Sequence, residues 1–224
     1  MTLSHHSIAA GGGAEGGGDW SETFALSGTQ FAVSVGDVCG HDDDASKMMV
    51  QLRRDIRSEA CASRDPARVL SAVNENLCRR GWSRYATSIF GVLDTEKRTL
   101  VFASAGHPAP FLMDRAQAGF LRVPLGDMPL GVQGSLQIEA HHVELEDDAL
   151  LVFYTDGVTE MERDAVVGET RLREAVRVAY RVPGIEPAYV IARHLRLRQR
   201  RVDDASILTV RTVRRPFRNG NGRP

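Results

Sequence analysis

The chain has 224 residues, a formal net charge of −1 and a charged fraction of 25%, values that are ordinary for a soluble globular protein. Because there is no basic excess, nucleic acid is not expected as the main partner. The sequence has neither an apolar run of membrane-spanning length nor a signal pattern. Its three cysteines form no CxxC pair, which argues against a zinc or disulfide framework. We therefore expect a cytoplasmic protein with no membrane contact.

The N-terminal half begins with a Gly-rich stretch, and we predict a flexible leader over residues 1–15. Residues 31–35 have the composition of a strand. A first helix is predicted to be capped by Asp43 or Asp44 and to carry one apolar face. A second helix is expected to start at Asp65-Pro66 and to stop at Gly81.

The chain after Gly81 is rich in short apolar runs separated by turn residues, which predict strands. These runs cover residues 87–93, 99–105, 110–113, 120–123, 136–145 and 149–154. Helical patterns follow over residues 169–180 and 187–199, then a strand over 206–210 and a basic tail over 213–224 that is predicted to be disordered. Because strands and helices are segregated along the chain, the order predicts an α+β fold with a largely antiparallel sheet system.

Acidic residues stand where several of these strands should end. They are Asp19, Asp37, Asp156 and the pair Asp203-Asp204, most of them beside a glycine. Each alone is explained by a turn, because Asp bonds its own backbone there. Together they are the oxygen ligands that Mg²⁺ or Mn²⁺ prefers, which favours a metal-dependent hydrolase.

The chain resembles the SpoIIE-type phosphatases, a bacterial branch of the PPM metal-dependent serine/threonine protein phosphatases. The motifs that carry this resemblance are Gly-Gly-Asp19-Trp20, Gly36-Asp37-Val38-Cys39-Gly40-His41, Ala105-Gly-His107-Pro-Ala-Pro110, Pro129-Leu-Gly-Val132, Tyr154-Thr-Asp156-Gly-Val-Thr-Glu160 and Asp203-Asp204. The resemblance implies a four-layer α-β-β-α sandwich of mainly antiparallel sheets flanked by helices, over residues 16–212.

By the same resemblance, the chain should bind two Mn²⁺ or Mg²⁺ ions. The implied ligands are Asp19, Asp37, the Val38 carbonyl, Asp156 and either Asp203 or Asp204, which one sequence cannot distinguish. Asp37 and Asp156 would act in catalysis by holding the metals that activate water. His41 could donate a proton to the leaving oxygen, or it could be an ordinary loop histidine.

Other motif residues have more modest expected roles. His107 is interpreted as a residue that orders a turn, and Glu160 as a supporting acid or a cap. Asp42 replaces the family's usual glycine, so its charge either assists metal binding or simply caps the helix. Ser21 and Glu22 also depart from the family pattern beside Asp19.

The resemblance implies phosphatase activity on a phosphorylated signalling protein of the anti-sigma-factor antagonist type. A regulatory partner protein is also expected, whereas the charge balance gives no reason to expect nucleic acid as a partner. Two alternatives are a degenerate phosphatase fold that serves as a regulatory binding module, and a hydrolase of small phosphoesters.

Overall fold

The structure is a computed structural model that describes residues 1–8, 17–121, 128–160, 164–182, 184–197 and 204–213. The strands are β1 (Thr2–Ile8), β2 (Trp20–Ala25), β3 (Gln30–Val38), β4 (Ala86–Asp94), β5 (Thr99–Ala105), β6 (Phe111–Met113), β7 (Ala118–Phe120), β8 (His141–Glu144), β9 (Leu150–Tyr154) and β10 (Ala205–Arg211). The helices are α1 (Asp43–Ala62), α2 (Pro66–Arg80), α3 (Ala165–Arg181) and α4 (Pro187–Leu195).

The strands form two five-stranded sheets. The first has the order β1-β10-β9-β6-β7 and the second the order β2-β3-β4-β5-β8. Every pairing between these strands is antiparallel. The α+β class and the antiparallel arrangement expected from the sequence are therefore confirmed.

Three apolar clusters hold four layers together. One packs α1 and α2 on the second sheet, another packs α3 and α4 on the first, and the third lies between the sheets. The central cluster includes Val35 and Phe102 from one sheet and Phe153 and Leu208 from the other. Strands buried on both faces explain the continuous apolar runs of β4 and β9. The order of layers is the expected α-β-β-α sandwich.

The N-terminal residues depart from the sequence-based expectation. Thr2–Ile8 is an edge strand, β1, paired with β10 in a register that joins Thr2 to Arg211 and Ile8 to Ala205. The flexible leader predicted for residues 1–15 is therefore wrong for residues 2–8, while residues 9–16 lie outside the described residues. The strand was missed because an edge strand needs little apolar surface, and Thr2–Ile8 is largely polar.

The helix boundaries also need corrections. The N-cap of α1 is Asp42, not Asp43 or Asp44, because its side chain accepts a hydrogen bond from the Ala45 amide. α3 begins at Ala165, four residues earlier than predicted, with Asp164 as its N-cap. The predictions for α2 at Asp65-Pro66 and Gly81 are confirmed.

Some predictions fall partly outside the described residues. The basic tail lies outside the described residues from residue 214 on. Residues 122 and 123 of the strand predicted at 120–123 are also outside the described residues. Among the described helices, none has both the length and the apolar character needed to cross a membrane.

Candidate functional site

The turn that carries Asp19 lies directly on the end of β3. The Val38 amide donates to the Gly18 carbonyl at 3.1 Å. A Cβ built at Gly18 would stand 2.2 Å from the Val38 carbonyl oxygen and 2.7 Å from Oδ1 of Asp37. Because only glycine tolerates so close an approach, the Gly-Gly pair is what lets Asp19 reach the end of β3.

Two further glycines enclose Asp204. A Cβ at Gly17 would stand 1.8 Å from Oδ2 of Asp204, and one at Gly157 would stand 1.9 Å from its carbonyl oxygen. Asp204 is buried, with 7% of its surface exposed. Its carboxylate therefore belongs to the same corner as Asp19. Asp203, the other candidate for this position, lies outside the described residues.

Thr155 connects the parts of this corner. Its hydroxyl donates to Oδ2 of Asp19 at 2.6 Å and accepts from the Ser206 amide at 2.9 Å. The Thr155 amide also donates to the Ser206 carbonyl at 3.0 Å. A fully buried side chain thus ties Asp19 to the ends of β9 and β10.

The carboxylates in this corner repel one another. Burial raises the pKa of Asp19 to about 9; the hydrogen bond from Thr155 opposes this rise, whereas the charge of Asp37, a hydrogen bond shared with it, and the charge of Asp204 add to it. In the protein alone, the ionised form of Asp19 is therefore disfavoured. A bound divalent cation would reverse this balance, because it stabilises the ionised carboxylates.

Asp156 directly follows Thr155 and opens a short 3-10 turn, Asp156–Val158. Its carbonyl accepts from the Thr159 amide at 2.8 Å and the Thr159 hydroxyl at 3.1 Å. Within the described residues, no three acidic, histidine or cysteine side chains are gathered as a metal-binding group. Asp19, Asp37 and Asp204 are neighbours, and with the Val38 carbonyl they offer the oxygen donors that a hard divalent cation takes.

The charge of Asp42 is compensated by Arg84. Nη2 of Arg84 donates to Oδ2 of Asp42 at 2.5 Å, and Nη1 donates to the Cys39 carbonyl at 2.7 Å. The Ala45 amide and Arg84 together lower the pKa of Asp42. Of the two roles considered for Asp42, the helix cap is the one seen. Gly40 leaves room for this contact, since a Cβ there would stand 2.1 Å from Nη1 of Arg84.

His41 is exposed in the loop between β3 and α1, next to Asp42. It follows the segment that carries Asp37, and its role as a proton donor stays a prediction. Glu160 is exposed as well, and its supporting role also stays a prediction.

Glu22 faces α1. Its Oε2 accepts from Arg53 and Arg57, with Nη2 of each at 2.9 Å. Both arginines also donate through Nε at 3.2 Å. Glu22, which departs from the family pattern near Asp19, therefore joins β2 to α1 because both arginines share its carboxylate.

His107 joins the two sheets. Its Nδ1 lies 2.9 Å from the Thr87 hydroxyl on β4, and its Nε2 lies 3.0 Å from the Tyr154 carbonyl on β9. Burial lowers its pKa to about 4, although the bond to Tyr154 opposes this. The ring is therefore neutral at pH 7, with Nε2–H donating to Tyr154 and Nδ1 accepting from Thr87. His107 was expected to order a turn; the structure shows that it bonds the Tyr154 backbone and bridges the two sheets.

Sequence reasoning missed two contributors to this region, Thr155 and Arg84. Thr155 stands inside the Tyr154-Thr-Asp156-Gly motif, so its position was visible while its bond to Asp19, 136 residues away, was not. Arg84 is 42 residues from Asp42, and nothing in its local sequence indicates this pairing.

Comparisons with known proteins identify the family and the fold of this chain. The family model for Stage II sporulation protein E (SpoIIE) matches residues 27–213. The phosphoserine phosphatase RsbP of Bacillus subtilis (strain 168) is 20% identical over 148 residues, which cover 64% of this chain and 36% of RsbP. The chain thus spans about a third of that relative.

Solved structures show the same fold. The RsbU and RsbW domains of a Mycobacterium tuberculosis protein superpose with a TM-score of 0.80 at 26% identity, covering 96% of this chain and 61% of the other. The PP2C phosphatase domain of SpoIIE from Bacillus subtilis, solved with a fragment of its regulatory domain, gives a TM-score of 0.77 at 18% identity, over 94% of this chain and 63% of that one.

Proposed function

The chain belongs to the SpoIIE family, and we propose that it is a metal-dependent protein phosphatase that hydrolyses phosphoserine or phosphothreonine on a signalling protein. One observation carries this proposal. The Gly17-Gly18-Asp19 turn lies against Asp37, the Val38 carbonyl and Asp204 at approaches that only glycine permits. Three carboxylates and a carbonyl from separate parts of the sequence are therefore neighbours around this turn, although the carboxylates of the described residues are not gathered as a ready-made three-ligand group. A divalent cation would offset their repulsion.

We propose that Asp19, Asp37, Asp156 and Asp204, with the Val38 carbonyl, hold two Mn²⁺ or Mg²⁺ ions. When bound, such ions activate water and neutralise charge on the phosphoryl group. The chain's own residues prepare this site. Thr155 fixes one oxygen of Asp19, and Arg84 offsets the charge of Asp42, which would otherwise repel an incoming phosphate.

His41 is our proposed proton donor to the leaving serine or threonine oxygen. It is exposed and lies in the loop that begins at the end of β3, four residues after Asp37. Imidazole side chains are common proton donors in reactions near neutral pH.

The proposed substrate is a phosphorylated anti-sigma-factor antagonist or a similar small signalling domain, and a regulatory partner protein is expected to control the activity. The name of the relative RsbP, a phosphoserine phosphatase, supports the phosphoserine chemistry. A cytoplasmic location fits a partner of this kind.

Phosphate release tests this function. We expect the chain to release phosphate from a phosphoserine protein in the presence of Mn²⁺ and to lose this activity with EDTA. Free phosphoserine should be a much poorer substrate, because a protein phosphatase gains binding energy from the folded substrate. Equal turnover of the two would favour a hydrolase of small phosphoesters instead.

A second candidate is a degenerate phosphatase fold that acts as a regulatory binding module. Two observations favour it: the described residues do not form a ready-made three-ligand metal group, and Glu22 is bound to two arginines beside the Asp19 corner. Calorimetric titration separates the candidates. A protein that takes up no Mn²⁺ at millimolar concentration would be the binding module.

A further inference from the structure

A large groove runs from the carboxylate corner along α1. It has a volume of about 770 Å³, and Asp19 and Asp204 line one part of it. Lys47, Arg53 and Arg54 of α1 line another part. A single phosphate needs far less room, whereas volumes of roughly 300–1,000 Å³ are typical of sites that hold a whole ligand. The groove is therefore large enough for several side chains besides the phosphoryl group.

Part of the α1 surface that lines the groove is opposite to the core-packed face of this helix. Met48, Leu52 and Ile56 are buried against the second sheet. Ser46, Val50 and Arg54 recur every four residues and line the groove, so they share one side of the helix. Val50 and Arg54 are exposed, and this leaves one face of α1 open to a partner.

The charge of this face is positive. Arg53 and Arg57 share the single buried carboxylate of Glu22, so one positive charge remains uncompensated there. Lys47 is paired with Asp44, but both side chains are about two-thirds exposed, and such a pair is weak and easily exchanged. Arg54 makes no ion pair or hydrogen bond with any residue in the described part of the chain, apart from those of its helix backbone.

We propose that this groove binds the segment of the phosphoprotein substrate that flanks the phosphorylated residue, and that this segment is acidic. The inference rests on the proposed function for the position of the phosphoryl group at the carboxylate corner. With the phosphoryl group there, flanking Asp or Glu side chains pair with Arg54 and Lys47 along α1. Met49, Val50 and Trp82 line the same groove and contact the apolar parts of the segment. Arg54 thus selects the substrate by charge and takes no part in the chemical step.

Binding of two fluorescent phosphoserine peptides tests this proposal without requiring turnover. The peptides have equal length, and one carries Glu on both sides of the phosphoserine where the other carries Gln. Fluorescence anisotropy with the full chain and Mn²⁺ should show about tenfold tighter binding of the Glu peptide at low salt. This preference should shrink as salt is raised, because exposed charges are screened.

Variants at position 54 identify the source of the preference. Arg54→Ala should reduce the preference to about twofold or less, and Arg54→Glu should reverse it. Arg68→Ala is the matched control, since Arg68 is an exposed helical arginine of α2 outside the groove, and it should keep the wild-type preference. Unfolding midpoints of all three variants should match that of the wild type.

The outcomes separate this inference from the proposed function. Hydrolysis of both peptides with equal affinities, or a preference that survives Arg54→Glu, overturns the acidic groove and leaves the phosphatase intact. An Arg54-dependent preference supports the groove even where neither peptide is hydrolysed, and binding of neither peptide overturns it. The phosphatase function is removed only if the phosphoserine protein also releases no phosphate.

Discussion

At the scale of single residues, Thr155 has the most informative contacts. Its hydroxyl serves Asp19 as a donor and Ser206 as an acceptor, so it uses both of its hydrogen-bonding functions within a buried site. Outer hydrogen-bond partners of metal-binding carboxylates orient them and commonly change metal affinity by about 10–100-fold. Thr155 is therefore expected to position Asp19 without touching a metal itself.

Replacing Thr155 with Val keeps the shape of the side chain and removes its hydroxyl. We expect the Mn²⁺ concentration for half-maximal phosphate release to rise about tenfold, because Asp19 loses its orienting donor. Thr155→Ser keeps the hydroxyl and should restore most of the affinity. A Val variant with the metal requirement of the wild type would show that Thr155 has only a structural role.

The residue scale also shows what a sequence does not reveal. Asp42 stands among three consecutive aspartates, and the local pattern gave no means of choosing which one caps α1. In the structure, Asp42 caps α1 and also accepts from Arg84, which lies in the segment before β4. Likewise, the motif order indicated Asp19, Asp37 and Asp156 as candidates, but the register at Asp203-Asp204 depends on which residue lies against Gly17 and Gly157.

Among the strands and helices, those with a clear apolar pattern or clear end signals were predicted from the sequence, and those with a weak apolar pattern were not. β4 and β9 were recognised because they are buried on both faces and read as continuous apolar runs. β1 and β2 were missed, since edge strands are half-exposed and their polar residues resemble loops. α2 was predicted from Asp65 to Gly81 because a cap, a proline and a left-handed glycine mark its ends.

The missed edge strand has a consequence for the site. β1 pairs with β10 along its whole length, and Ser7 and Ile8 at its end line the groove beside Asp204. Ser7 also bonds the Ser206 hydroxyl at 2.9 Å. Residues expected to be a flexible leader therefore build part of the wall beside the carboxylate corner.

At the scale of the whole molecule, the site depends on how the two sheets are joined. Asp37 comes from the second sheet, whereas Asp156 and Asp204 flank strands of the first. The neutral His107 bridges these sheets through Thr87 and Tyr154, one residue before Thr155. Its two hydrogen bonds therefore fix the relative position of the elements that carry the carboxylates.

This bridge predicts a pH dependence of stability. The folded-state pKa of His107 is lowered to about 4 from an unfolded value of 6.5, so between these values the unfolded chain binds the extra proton. The free energy of unfolding therefore keeps its full value from His107 above pH 6.5. It decreases by up to about 3 kcal/mol as the pH falls toward 4. Denaturant unfolding at pH 7.5 and pH 5 measures this change.

His107→Gln is the matched variant, because Gln keeps a hydrogen-bond donor and does not titrate. Taking the difference between the two proteins cancels the contributions of the groups that they share. The wild type should lose more stability than the variant between pH 7.5 and pH 5. Equal losses would mean that the buried histidine is not held neutral.

Phosphate release from a phosphoserine protein across a Mn²⁺ titration shows whether carboxylates from both sheets hold catalytic metal ions. Wild-type activity should require Mn²⁺ and should saturate as the Mn²⁺ concentration rises. The control variant Asp43→Asn should behave in the same way, because Asp43 is an exposed aspartate in the first turn of α1. Asp37→Asn and Asp156→Asn should each lower the rate about a hundredfold or more at saturating metal. Activity that is independent of Mn²⁺, or unchanged in both Asp37→Asn and Asp156→Asn, would contradict the account.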